Sequence, residues 1–235
     1  MKNQLVCSKC QTENPFYGLI CTNCKSYLRE RINNLDLWEI LARLVDNPIS
    51  AFKKIIQSEH KNFITFILFF TSLKLFIDAR FLSLTFHKGE GLWNNLLTGF
   101  LIVLFALVIL VLIFSAALKY INEMMNLKTR IRDNSAILIY SFIPYIFALF
   151  ILLPLELVIF GGSLFSNNPS PFVIKNTLAY TFAILEGLCV LWTAALSILA
   201  MYSQSRSIIY SIISALSFNF LTWILLYFLS FQLFY

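Results

Sequence analysis

From Phe63 onward the chain is almost entirely apolar, and short polar stretches divide it into runs at 63–86, 92–118, 136–160, 172–200 and 208–235. A backbone inside lipid must satisfy its own hydrogen bonds, and a helix rising 1.5 Å per residue needs about 20 residues to cross a hydrocarbon core of about 30 Å. Each run meets that length, so the sequence predicts five transmembrane helices, the longer ones tilted or projecting from the membrane. Composition agrees: 59% of the 235 residues are hydrophobic, 13% are charged and the mean hydropathy is +0.76. Such a chain is too apolar for an ordinary soluble domain or for disorder. The expected fold is an all-α integral membrane protein. A bundle of five transmembrane helices (62–235) follows amphipathic interfacial helices (31–61) and a small zinc ribbon (1–30).

The net charge of +6 matters less than its placement. Nine of the 18 Lys and Arg precede Asn62, while Lys119, Lys128, Arg130 and Arg132 share one short loop and Arg206 lies in another. Cytoplasmic loops collect basic residues, so the amino terminus is expected in the cytosol and the carboxyl terminus on the outer or lumenal side. Lys88 and Lys175 then fall on the outer side, where the two loops, 87–91 and 161–171, are rich in the Gly, Ser, Asn and Pro that suit solvated turns. Trp93 fits an outer aromatic belt, and Tyr120, Tyr140, Tyr202 and Tyr210 an inner one. The basic residues form no patch interleaved with aromatics, so the bilayer and not nucleic acid is the expected partner.

Four of the five cysteines form the pattern Cys7-Ser-Lys-Cys10, ten residues, Cys21-Thr-Asn-Cys24. No apolar signal segment precedes them, which points to the cytosol, where thiols stay reduced and such pairs take a metal in preference to a disulfide. Each Cys-x-x-Cys turn can present two thiolates to one ion. Two turns close a tetrahedral site for a single structural zinc, with no position open to a catalytic water. Asn14-Pro15 and Tyr17-Gly18 suit a tight hairpin between them.

Between ribbon and bundle, Leu37, Ile40, Leu41, Leu44 and Val45 share one helical face opposite Glu39, Arg43 and Asp46. A second helix should start at Asn47-Pro48, a capping residue followed by a residue suited to the first helical position. Its Ile49, Phe52, Ile55 and Ile56 oppose Lys53 and Lys54. Both helices are expected to lie flat on the inner leaflet, with Trp38 at headgroup depth and Lys53 and Lys54 against anionic lipid. The alternative is a pair of short helices packed beneath the bundle.

Ionisable residues inside the apolar runs are costly and therefore informative. They are Lys74, Asp78 and Arg80 in the first run, Glu156 in the third and Glu186 in the fourth. Depth pairs Lys74 with Glu186 and Arg80 with Glu156, and Asp78 shares the Lys74 face at i+4. The preferred reading is a set of interhelical pairs that fix packing; the alternative is a proton or ion path. Ala179, Ala183 and Gly187 form a small-residue seam suited to a neighbouring helix. Pro144 and Pro154 should kink the third run, and Trp192 and Trp223 should pack. Only His60 and His87 exist, in different segments, and no glycine-rich phosphate loop is present, so no enzyme is expected.

Three further stretches act together: Val45-Asp-Asn-Pro48-Ile-Ser-Ala-Phe52, Tyr140-Ser-Phe-Ile-Pro144, and Leu191-Trp192-Thr-Ala-Ala-Leu196 followed by Ser203-Gln-Ser-Arg206-Ser. With the five runs they resemble the Yip family, five-span membrane proteins named for interacting with Ypt/Rab GTPases, from about Leu37 to the carboxyl terminus. The resemblance implies a cytosolic amino terminus and, in eukaryotic members, a small GTPase as partner in vesicle transport between endoplasmic reticulum and Golgi. The Asp-Leu-Tyr-Gly-Pro motif of those members is missing, so no GTPase-binding residue carries over, and a bacterial inner membrane is the expected location. The expected function is that of a non-enzymatic adaptor or scaffold whose ribbon recruits a cytosolic protein in membrane trafficking or organisation, alone or as a homo-oligomer. The alternative is a transporter or lipid-moving protein that uses Lys74, Asp78 and Glu186.

Overall fold

The computed structural model describes residues 3–87, 96–166 and 168–234. Lys88, Trp93 and the loop that holds them lie outside the described residues, as does Tyr235.

The chain opens with two three-residue strands, β1 (Gln4–Val6) and β2 (Glu13–Pro15), paired antiparallel with Leu5 opposite Asn14. The remaining elements are helical. α1 (Leu37–Asp46) starts where Asp36 accepts the Glu39 amide, and α2 (Pro48–Gln57) where Asn47 accepts the Ser50 amide, with Pro48 in the first turn as its fixed φ favours. α3 (Ile64–Leu82) runs into a π-helical turn at Ser83–His87, and α4 is Leu96–Met124. The next apolar stretch is broken into α5 (Ile131–Ser141), α6 (Ile143–Phe147), a π-helical turn (Ala148–Leu152), α7 (Leu153–Phe160) and a 3-10 turn (Gly161–Phe165). Pro144 and Pro154 sit in the first turns of α6 and α7, where a missing amide is tolerated and the preceding helix must end. α8 is the single turn Pro171–Ile174, and α9 (Asn176–Ser205) and α10 (Ile208–Phe234) complete the chain.

Among the described residues, four stretches are long and apolar enough to cross a membrane: Leu96–Met124, Ile131–Phe165, Asn176–Ser205 and Ile208–Leu233. These make the chain an integral membrane protein by length and composition. The fifth expected span, α3, has only 19 residues and holds Lys74, Asp78 and Arg80, which set it apart from the other four.

The chain divides into two compact units. The first takes residues 1–65, 111–141 and 195–218, and the second 66–110, 142–194 and 219–235. In the first unit, Ile40, Leu44, Phe52, Ile55 and Ile56 of α1 and α2 are buried together with Ala136–Tyr140 of α5. This corrects the expectation of helices lying flat on a leaflet: most of their apolar faces is covered by protein, although Val45 stays 62% exposed. Amphipathicity identifies a face that must be covered, whatever covers it. Of the surface residues, Trp38 does project, at 79% exposure, whereas Lys54 pairs with Glu39 across the two helices at 2.5 Å and Lys53 is half-buried.

Polar side chains tie the first unit together. Asn134, fully buried, donates to the Ser115 carbonyl at 3.0 Å and accepts from Gln204 at 2.8 Å, joining α4, α5 and α9. Tyr210 donates to Asn122 at 2.7 Å, and Tyr140, fully buried, donates to the Asn62 carbonyl. These two tyrosines therefore tie chain segments together, Tyr140 from inside the protein and Tyr210 from a half-buried position. Lys61 went unremarked in the sequence. Its ammonium donates to the carbonyls of Ile55, Ile56 and Ser58, at the negative end of the α2 dipole, and lies 3.1 Å from the buried Asp133 carboxylate. Burial nevertheless pushes it down to about 8.

The second unit has its core at Ile77, Leu149, Leu153, Phe160, Leu164, Ala179 and Phe182. Phe147 stacks on Trp192 at 5.7 Å, so Trp192 packs as expected.

Candidate metal centre and acidic cavity

Each Cys-x-x-Cys stretch is built in the same way. The residue after the second cysteine, Gln11 or Lys25, takes a left-handed φ of 56° or 61°, and its amide returns to the carbonyl of the first cysteine at 3.0 or 3.2 Å. The first cysteine's own amide then donates to Thr12 or Ser26, two residues past the second. The two knuckles converge: the Sγ atoms of Cys7, Cys10, Cys21 and Cys24 all lie within 4.8 Å of one another, with Cys7–Cys24 and Cys10–Cys21 at 3.5 Å. A metal bound to four thiolates at about 2.3 Å requires sulfurs a little under 4 Å apart, whereas a disulfide requires about 2.05 Å. All four thiols are free, so the geometry is that of a metal site. Hydrogen bonding to Thr12 pulls the Cys10 thiol down to about 6 and Ser26 lowers Cys7, which favours thiolates at these two ligands, whereas burial and the neighbouring Cys10 and Cys7 raise Cys24.

Asn14 is the part of this centre that sequence reasoning missed. Its side chain is 1% exposed and bridges the knuckles, donating to the Thr12 carbonyl at 2.8 Å and to Cys21 Sγ at 3.6 Å while accepting from the Thr22 amide at 2.9 Å. An Asn followed by Pro between two knuckles was legible as a turn; its reach to a sulfur was not. Gly18 closes that turn on the Pro15 carbonyl, where an added Cβ would come to 2.9 Å. Asn14→Asp would place a carboxylate against a thiolate and remove the donor. It is expected to weaken metal affinity by about ten- to a hundredfold, as loss of a ligand's supporting hydrogen bond does, read by competition with a chromophoric chelator.

The ribbon is fastened to the rest of its unit. Asn3 donates to the Ser203 and Gln204 carbonyls at 3.1 and 2.6 Å, the Arg130 guanidinium lies 4.2 Å over the Tyr17 ring, and Arg29 bridges the Gly18, Tyr17 and Gln57 carbonyls.

The second candidate site lies wholly within the second unit. A cavity of about 600 Å³ is lined from α3, α7, α9 and α10, within the size range of small-molecule pockets. Lys74, 1% exposed, donates to Asp78 at 2.6 Å, one helical turn along α3, and lies 3.0 Å from Glu186 on α9. Glu156 on α7 lines the same cavity, is 6% exposed and has no hydrogen bond or ion pair among the described residues. Glu186 Oε1 is buried without a hydrogen-bond partner. The structure thus brings Lys74, Asp78, Glu186 and Glu156 together.

It does not join Arg80 to Glu156: among the described residues no ion pair links them, and Arg80 is 5% exposed. The depth argument assumed an unbroken α-helix, but the π-helical turn just before α7 adds a residue and rotates α7 about its axis. Two further expectations change. Ala183 and Gly187 line the cavity and are exposed, and a Cβ at Gly187 would meet nothing within 4 Å, so this part of the seam leaves space instead of seating a helix. Trp223 likewise faces the cavity.

Compared with family models, with curated proteins and with solved structures, the chain has no significant match.

Proposed function

We propose that this is a five-span membrane protein that binds a small solute in the cavity between α3, α7, α9 and α10 and moves or senses it across the bilayer, without catalysing a reaction. The observation that carries this reading is Glu156, a residue only 6% exposed whose carboxylate makes no hydrogen bond or ion pair among the described residues and lies on the wall of a ligand-sized space. Leaving such a charge uncompensated costs several kcal/mol, a cost that selection tolerates where a ligand supplies the missing contact. α3 serves as the first span despite its charges, because the Lys74 pairs turn inward. Fourteen of the 18 basic residues then fall on one side, which supports a cytosolic amino terminus and, with the ribbon, a bacterial inner membrane.

In this reading the four cysteines hold one structural zinc, the borderline-soft ion that four thiolates at this spacing suit best. The ribbon steadies the base of its unit. A second reading, closer to the Yip resemblance, makes the ribbon a recruiter of a cytosolic protein; exposed Val6, Ile20 and Tyr27 on the ribbon favour it.

Gly187→Leu tests the first reading, since the larger side chain meets no neighbour yet fills the space. A panel of small organic cations, anions and neutral solutes is expected to include members that raise the melting temperature of the detergent-solubilised wild type. Those shifts should disappear in the variant, with metal content and unliganded melting temperature unchanged. A panel without effect on the wild type, or shifts that persist in Gly187→Leu, would count against the cavity.

A further inference from the structure

The cavity's charge balance says what kind of solute it takes. Among the described lining residues, three carboxylates face one ammonium. Lys74 is already committed, at 2.6 Å to Asp78 and 3.0 Å to Glu186, and neither of those contacts reaches Glu156. An anion entering here would meet surplus negative charge, with the one cation among the described lining residues already engaged. A neutral solute would leave Glu156 as it stands. A cation would satisfy it.

The rest of the wall distinguishes among cations. A hard inorganic ion needs about six oxygen ligands in close array, whereas this lining is mostly apolar and includes Phe81, Phe160, Phe182 and Trp223. Aromatic faces attract a positive charge and cover an apolar body at the same time. We infer that the cavity is a binding site for organic monocations with an apolar body, such as quaternary ammonium or phosphonium compounds, with Glu156 as their counter-charge. The inference rests on the solute-binding reading above and adds to it the charge, the apolar character and the contacting residue. Asp78, Glu186 and Lys74 are the neighbouring charges that face the site, and their mutual pairing leaves Glu156 as the carboxylate available to the guest.

The test uses two ions of one shape and opposite charge. Tetraphenylphosphonium is expected to bind the full-length, zinc-loaded protein saturably in equilibrium dialysis, and tetraphenylborate is not. Glu156→Gln, which keeps size and removes charge, should weaken phosphonium binding at least tenfold, and Glu156→Asp should recover part of it. Unchanged zinc content and thermal unfolding in both variants would exclude misfolding as the cause. Equal phosphonium binding by wild type and Glu156→Gln would overturn the role of Glu156. Saturable binding of the borate in preference would overturn the cation assignment while leaving a solute site in place. If neither ion binds saturably the inference fails, and the Gly187→Leu comparison separately decides whether the cavity holds any solute.

Discussion

Cys21→Ser is expected to abolish metal retention and to unfold the ribbon as a unit. The ribbon's two strands have three residues each, and its buried side chains are chiefly Cys7, Cys21 and Asn14. A segment that small cannot offset its own chain entropy by burial alone. Apparent binding free energies of about 10–16 kcal/mol for structural zinc in comparable peptides show where the stability comes from. Removing one of four thiolates therefore does more than weaken a site: it removes the cross-link that holds the two knuckles in register. The loss should spread along the docking contacts, because Tyr17 under Arg130 and Asn3 on the Ser203 and Gln204 carbonyls depend on the ribbon's shape. Hydrogen exchange read by mass spectrometry is the check. In Cys21→Ser, or in wild type treated with a strong chelator, amides from Asn3 to Leu28 should exchange at unfolded rates while those of α9 and α10 remain protected. Protection of the ribbon without a bound ion would show that its docking, and not the metal, holds it folded.

What the sequence reveals of these two sites differs because of how far apart their parts lie. The knuckles are local: each ligand pair and its turn occupy five residues, so spacing alone suffices. The Lys74 cluster is legible in part for a similar reason. Asp78 comes at i+4, and depth alone brings Glu186 level with Lys74. Glu156 is legible as an intramembrane charge but not as a member of this cluster, since its direction depends on a π-helical turn that nothing in Ala148–Leu152 announces. The seam of Ala183 and Gly187 shows a second limit. Small side chains make room, and the same pattern serves a closely packed helix or an open cavity. The juxtamembrane helices show a third. Ile40, Leu44, Phe52 and Ile55 form faces that the sequence displays clearly, yet hydrophobic burial is non-directional and α5 satisfies it as well as lipid would. The span count differs for a physical reason too. A helix can carry three charges through a bilayer when their partners are inside the protein, but hydropathy registers only the charges.

Lys74→Met is expected to produce the largest loss of stability among substitutions in the bundle. Methionine matches the length of the lysine stem and packs without strain, so the change isolates the charge. It leaves Asp78 and Glu186 facing a low-dielectric cavity with their shared cation gone. Breaking a buried pair in this way costs about 3–5 kcal/mol, a large part of the 5–15 kcal/mol that holds a typical domain together. The triple variant Lys74→Met, Asp78→Asn, Glu186→Gln should recover most of that loss, since replacing the whole ionic cluster by neutral groups of similar shape is often close to neutral. Thermal unfolding in detergent, with zinc content as a folding control, measures all three states. If the single variant costs less than about 1 kcal/mol, the cavity is hydrated enough to screen its own charges, as exposed pairs are screened. The cluster would then be part of a water-filled path instead of a clamp. A large single-variant loss reversed in the triple variant would mean that Lys74, Asp78 and Glu186 hold α3 to α9, and that Glu156 alone is left to meet the guest.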